Sequence, residues 1–546
     1  MMDLSFRWPH PRYSTAIGEL SFRLHTFENV YGIDPALTSV EVSADGSMVV
    51  DARGLSWAGG QATAPGTLRA SITPTARGVR VEVSGEHADG IRSIGVTVHD
   101  LPTSAVSGVR EDALEVPPTG RILSYPNGWF DLSSPSFIIG DALAVRSIDG
   151  QPRPKTFAFI PHFDDAAIMD VDLLVEADAT HPSAAFDAPG WVIEPPRDVA
   201  AFVTEHREHI ARAYPTDTWE HRSDVPEWMR EKSLVLTLHG KHFTGRTFLD
   251  YSAMLDVIRQ VARQIDGSRV LAYLPGWEGR YYRWYGRYDV DPALGGEEGF
   301  RRLVDESREL GVHVMPMFGA NIASRDVPGF ERWGEPGIVR RASGLMDAGS
   351  VDWDGSRHYD HGSGAMINPA FAPWRAHLVE QIGSLHERFG FDATFLDITA
   401  MHSNDPNGDT TEGLRSLAGD ILRAIPGHLI AGEAWFDALS SIIPLVQTGH
   451  HDTVPVYHDL PDDQLFTRTN RSFGHVCLGD PAHGSSGVHE AGYVSAWRLP
   501  VRRGVIPTMG VVEDTLALAP DRVSQIISDA REYAELYLES ESARTF

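Results

Sequence analysis

Two short stretches decide how this chain is read: Ala393-Thr394-Phe395-Leu396-Asp397-Ile398-Thr399 and Leu429-Ile430-Ala431-Gly432-Glu433-Ala434-Trp435. Each opens as an apolar run and meets a carboxylate where the run stops. Continuous apolar runs of this length suit parallel strands covered on both faces. Between them Leu414, Leu417, Ile421 and Ile425 recur at helical spacing. Strand, helix and strand in that order make one βα unit.

Working outward, the same alternation extends in both directions. Apolar runs at 234–238, 270–274 and 312–317 precede the pair, with helical stripes at Met254, Ile258, Val261 and Ile265 and at Leu378, Ile382, Leu385 and Phe389 between them. Beyond it, strands are expected at 454–457, 475–478 and 505–508, with a closing helix over 523–537. Eight βα units in this length predict a (β/α)8 TIM barrel spanning 228–546. A doubly wound sheet would want a glycine-rich phosphate turn after an early strand, and the sequence has none.

Upstream the period changes to two. Ser39-Val40-Glu41-Val42 and Val79-Arg80-Val81-Glu82-Val83 alternate, and turn dipeptides recur at Asp45-Gly46, Asp89-Gly90, Asn127-Gly128 and Asp149-Gly150. Residues 1–195 are therefore expected to form an antiparallel β-sandwich, joined through a helical linker over 196–227 to the barrel. At 546 residues, two domains with separate cores are the natural division.

Barrels carry their chemistry at the C-terminal ends of strands. The residues found there are His239 and His242, Trp277 and Glu278, Asn321, Asp397, then Glu433 and Trp435. Asp397 and Glu433, 36 residues apart, fall at the mouths of adjacent strands. Strands about 5 Å apart can hold two carboxyl groups near the roughly 5 to 5.5 Å that retaining glycosidases use. One can attack while the other donates a proton. The plainer alternative makes Asp397 a loop cap and Glu433 an arginine partner.

The segments FLDIT and GEAW, residues 395–399 and 432–435, resemble the retaining α-glycosidase barrels, a group that includes the α-amylase, endo-α-N-acetylgalactosaminidase and α-galactosidase-like enzymes. The likeness runs back through Met366-Ile367-Asn368-Pro369. It implies an aspartate nucleophile on strand four, Asp397, and a glutamate acid/base on strand five, Glu433. A β-rich N-terminal domain is similarly common in that group. It covers the first five units of the barrel and supports a superfamily rather than a substrate. One departure stands out: Phe395 occupies the place where amylases proper carry arginine, so the orientation of Asp397 is left to His239, Asn321 or Asn368.

Sugars present C–H faces to aromatic rings, and Trp277, Tyr281, Tyr282, Trp284 and Tyr285 cluster after the second strand. The expected substrate-binding set is His239, Trp277, Glu278, Tyr282, Asn321, Asn368, His402, Trp435, Asp459 and Glu513. The bland reading is that the aromatics pack a surface excursion. His239-Gly240-Lys241-His242 lacks the alternating His-x-His of a metal hydrolase, so no metal or cofactor is expected. Asp405 to Glu412 has oxygen ligands but a misplaced glycine for calcium, and Asp409 reads better as a helix N-cap.

Acidic residues outnumber basic ones 75 to 47, a formal charge of -28 that opposes nucleic acid and anionic lipid as partners. The opening residues show no secretory pattern and the single cysteine, Cys477, suits a reducing compartment, so a cytoplasmic chain acting on a small carbohydrate is expected. Homo-oligomerisation is left open. Transglycosylation on the same site, a non-catalytic carbohydrate-binding barrel and a metal-dependent hydrolase are the alternatives.

Overall fold

The computed structural model describes residues 11–108, 113–126, 132–196, 198–242, 245–279, 285–345, 364–448, 464–474 and 501–539. Its N-terminal part is built from two antiparallel sheets, of nine and eight strands. Val79–Glu86 pairs with Thr67–Pro74, and along the former buried and more exposed residues alternate, as a sheet with one wet face requires. Phe22, Val96 and Val171 from one sheet meet Val81, Leu68 and Trp191 from the other in a single core. The alternation at 39–42 belongs to Thr38–Val42, an edge strand whose Val40 and Val42 are exposed.

Helix Val199–Ala213 follows, its first turn capped by Asp198, which accepts the N–H of Ala201 at 2.9 Å. Ile210 and Tyr214 join the barrel core, and the Tyr214 hydroxyl also meets that of Tyr125 in the sheets.

The barrel strands are β1 (Leu234–Leu238), β2 (Val270–Leu274), β3 (His313–Gly319), β4 (Ala393–Asp397), β5 (Leu429–Glu433), β6 (Leu445–Thr448), β7 (Arg471–Gly474), β8 (Val505–Ile506) and β9 (Thr508–Val511). All their mutual pairings are parallel. Strands β1, β2, β4 and β5 are buried at every residue, because helices cover one face and the barrel interior the other. Pro507 alone separates β8, which pairs with β7, from β9, which pairs with β1. Proline has no N–H for a ladder, but its carbonyl accepts the N–H of Val235 at 2.9 Å. The nine segments thus make a nearly closed parallel barrel.

Two strand positions need correction. The sixth and seventh strands lie at Leu445–Thr448 and Arg471–Gly474, upstream of the expected 454–457 and 475–478, which lie outside the described residues. Polar residues disguise both. In β7 the buried Arg471 sits over the Trp219 ring at 4.8 Å and donates to the carbonyl of Asn470 at 2.7 Å, so a charged residue is accommodated in a strand. Among the described residues no helix is long and apolar enough to cross a membrane.

Candidate active site

Asp397 and Glu433 are the last residues of β4 and β5, strands paired in register with Leu396 opposite Gly432. They are 2% and 5% exposed, and their carboxyl groups lie within hydrogen-bonding reach of each other. The chain turns sharply after each: Ile398 has φ 62° and Ala434 φ 58°. A left-handed backbone at a β-branched residue costs on the order of 1–3 kcal/mol and persists only where its surroundings hold it.

Those surroundings are specific. The N–H of Ile398 donates to Oε2 of Glu433 at 3.0 Å, and its carbonyl accepts Nδ2 of Asn321 at 2.7 Å. Thr399 Oγ1 donates to the Glu433 carbonyl at 2.8 Å, and the Ala434 N–H donates to the Gln447 carbonyl at 2.8 Å. The turn following one carboxylate therefore grips the other. Gly432 makes room for this, since a Cβ there would stand 2.5 Å from Thr399 Oγ1.

Burial raises both acids, but their surroundings differ. Asp397 is pushed up by desolvation and pulled back by hydrogen bonds, among them one from Tyr285, whose OH donates to Oδ2 at 2.9 Å. Glu433 is driven well above the usual carboxylate range by desolvation and then by the charge of Asp397. Of the two, Glu433 is the acid pushed further up, and Asp397 is the one supplied with a hydroxyl donor.

Sequence reasoning put Tyr285 in an aromatic cluster without giving it this contact. The approach depends on Gly319, where a Cβ would stand 2.4 Å from the Tyr285 ring. Tyr285 is thus the direct donor to Asp397, while Asn321 acts one bond removed, through Ile398. Asn368 is engaged elsewhere: Nδ2 donates to Asp405 Oδ2 at 3.0 Å and to the Gly408 carbonyl at 2.8 Å, and Oδ1 accepts the Ala370 N–H. Trp277 is wholly buried, packed on Phe300 and Phe318, with its indole N–H donated to the Met317 carbonyl at 2.9 Å. Its place is in the core rather than on a sugar-stacking face.

His239 and Glu278 are buried at the ends of β1 and β2, His239 lying edge-on to Phe248. His402 hydrogen-bonds Thr411 Oγ1 at 2.8 Å and is pushed down to about 4 by burial, so it is neutral near pH 7. Trp435 is buried edge-on to Phe466, and its Nε1 has no hydrogen-bond partner among the described residues. Glu513 forms an ion pair with Arg246 beyond β9. Tyr282 and Asp459 lie outside the described residues. Asp409 caps helix Thr410–Ala424 through the N–H groups of Thr411 and Glu412.

The N-terminal sheets reach this end of the barrel. Asp437, four residues beyond Glu433, accepts the Tyr125 OH at 2.5 Å and Ser134 Oγ at 3.1 Å, and its N–H donates to the Ser133 carbonyl. Burial raises the Asp437 carboxyl to about 6. Asn404, beyond β4, donates to Glu176 Oε2 and to the Ala177 carbonyl. Among the described residues Asp100, His162 and Asp170 could hold an ion, but they lie within the N-terminal sheets and already engage Arg12 and His99.

A two-part fold of antiparallel sheets leading into a parallel barrel is an architecture known from solved structures. The chain is similar to the α-N-acetylgalactosaminidase NagBb from Bifidobacterium bifidum in complex with GalNAc, with a TM-score of 0.64 and 12% identity over 96% of this chain and 93% of that one. Against ligand-free NagBb the TM-score is 0.61 at 13% identity, covering 96% and 93%. The GH36 α-galactosidase AgaA from Geobacillus stearothermophilus gives a TM-score of 0.46 at 11% identity, covering 97% and 76%. No family model matches the sequence, and no curated protein does. At these identities the likeness to NagBb is one of fold.

Proposed function

We propose that the protein is a retaining glycosidase acting on an α-linked glycoside, with Asp397 as nucleophile and Glu433 as acid/base. The observation that carries this reading is the buried pair itself: two carboxyl groups on adjacent strand ends, in contact, with surroundings that drive Glu433 up and supply Asp397 with a hydroxyl donor. Counting β8 and β9 as one strand broken at Pro507 gives the eight-stranded barrel that such enzymes use. The fold shared with NagBb agrees, and that enzyme's α-N-acetylgalactosaminidase activity makes an α-linked N-acetylgalactosaminide a natural first substrate to test.

In this mechanism a bound glycoside replaces the hydrogen bond between the acids. Asp397 forms a bond to the anomeric carbon as the glycosidic C–O bond breaks, and Glu433 gives its proton to the departing oxygen. Glu433, now ionised, takes a proton from water as the water oxygen displaces Asp397 from the same carbon. Two inversions return the starting configuration. His239, Glu278, Asn321, His402 and Trp435 are the described candidates for substrate contacts; Asn368 and Glu513, engaged with other residues, and Tyr282 and Asp459, outside the described residues, complete the proposed set. Trp277 supports the site from the core.

The test is separation of roles. Asp397→Ala is expected to abolish turnover for every leaving group. Glu433→Ala should retain activity on a dinitrophenyl glycoside, whose leaving group needs no proton, and azide should raise its turnover to give a glycosyl azide of retained configuration. Full activity in either variant removes the pair from the mechanism.

A further inference from the structure

Asn321 lies two residues beyond β3 and is 1% exposed. Its own carbonyl accepts the Ile367 N–H at 2.7 Å, and its Nδ2 donates to the Ile398 carbonyl at 2.7 Å. The second contact fixes which way the amide faces, because turning Oδ1 toward Ile398 would set two oxygens against each other. Oδ1 is then buried without a hydrogen-bond partner among the described residues. An acceptor left this way is costly, and an orphaned polar atom in a native site calls for a ligand or an ordered water.

Location narrows the choice of ligand. Ile398 directly follows Asp397, so the amide lies beside the proposed nucleophile. On the glycosidase reading, on which this inference rests, the polar atoms of a substrate next to the attacked carbon are the ring oxygen, the glycosidic oxygen and the C2 substituent. Neither ether oxygen carries a hydrogen. Only the C2 group can donate, through O–H or N–H.

We infer that Asn321 Oδ1 accepts a hydrogen bond from the C2 substituent of the glycone, making the site selective for 2-hydroxy or 2-acetamido α-glycosides over 2-deoxy ones. As positive charge develops at the anomeric carbon a C2 donor becomes more acidic, so the contact strengthens in the transition state and bears on kcat as well as on binding.

The experiment uses aryl α-glycosides that differ only at C2, bearing hydroxyl, acetamido or hydrogen, with the full chain and with Asn321→Ala. The readout is kcat/KM for each C2-donor substrate relative to its 2-deoxy partner, compared between the two proteins, a ratio from which intrinsic reactivity cancels. Wild type is expected to favour the C2-donor substrate at least about tenfold more than Asn321→Ala does; loss of the contact to the Ile398 carbonyl lowers turnover of all the substrates alike and cancels from the ratio. The arm that falls furthest, hydroxyl or acetamido, identifies the donor. Asn321→Leu, of similar size and without polar atoms, is measured alongside in case the alanine variant does not fold. A ratio near one, the result expected if water satisfies Oδ1, overturns this inference alone, whatever the variant's absolute turnover. So does a wild type that shows no C2 preference after normalisation to spontaneous hydrolysis. If wild type turns over no α-glycoside and calorimetry shows no binding of galactose or N-acetylgalactosamine, both the inference and the glycosidase reading fall.

Discussion

Replacing Gly432 with alanine should damage the protein through a single crowded contact. The added Cβ would stand 2.5 Å from Oγ1 and 3.0 Å from Cγ2 of Thr399, and 3.2 Å from Cγ2 of Ile443. Both neighbours are buried and β-branched, with little rotamer freedom to retreat. Overpacking of this kind costs about 1–3 kcal/mol. Pushing Thr399 away also breaks its hydrogen bond to the Glu433 carbonyl, worth about 1 kcal/mol. In a domain of this size each kcal/mol lowers Tm by roughly 2–4 °C, so a fall of about 4–16 °C is expected by calorimetry. Turnover should drop by about tenfold or more, since displacements well below 1 Å at Glu433 already matter. Thr399→Ala alone should cost about 1 kcal/mol. Combined with Gly432→Ala it should remove most of the crowding, so the double variant comes close to Thr399→Ala, with a coupling of about 2–4 kcal/mol. A Gly432→Ala protein as stable and active as wild type, or a double variant whose losses simply add, would refute the packing argument.

Because Glu433 must be protonated to act and is held well above the usual carboxylate range, activity should fall with rising pH along a limb above ordinary carboxylate values. Glu433→Gln should eliminate that limb on substrates with good leaving groups, as a pH–rate profile would show. Tyr125→Phe should destabilise the protein by about 1–3 kcal/mol in urea unfolding, since it withdraws a donor from the buried Asp437. Asp437 is raised to about 6, so its contribution to stability is complete below about pH 4 and lost as pH rises through 6. Stability measured from pH 4 to 7 should flatten over that window in Asp437→Asn. Trp277→Phe should lower stability by about 1–3 kcal/mol while leaving KM unchanged, and a raised KM would return Trp277 to the sugar-binding surface.

The first five barrel strands were legible because residues buried on both faces must be apolar throughout, and unbroken runs such as Leu429-Ile430-Ala431 announce that condition. The later strands lack it. Leu445-Val446-Gln447-Thr448 is half polar, and Arg471 is compatible with burial because carbonyls, the Trp219 ring and the Glu220 carboxylate receive its guanidinium. The carboxylate pair could be read from strand ends, with a spacing of roughly 5 to 5.5 Å taken from strand geometry. Direct contact between the acids depends on the left-handed turns at Ile398 and Ala434, residues that carry no signal for that conformation. Tyr285 rather than Trp277 reaches Asp397 because Gly319, 34 positions further on, leaves room for its ring. Tyr125 and Asp437 are 312 positions apart, and no local pattern links them.

That last contact bears on how such an enzyme can be rearranged by recombination. A barrel inherited without its sheets would carry Asp437 stripped of Tyr125, Ser133 and Ser134, and Asn404 stripped of Glu176 and Ala177. Both positions lie just beyond the strands that bear the carboxylates, so the seam between the two parts runs along the rim of the site itself. Exchange of the N-terminal part between homologues would then succeed only where these few side chains travel together with their partners, and the unit available for shuffling is the whole two-part body rather than the barrel.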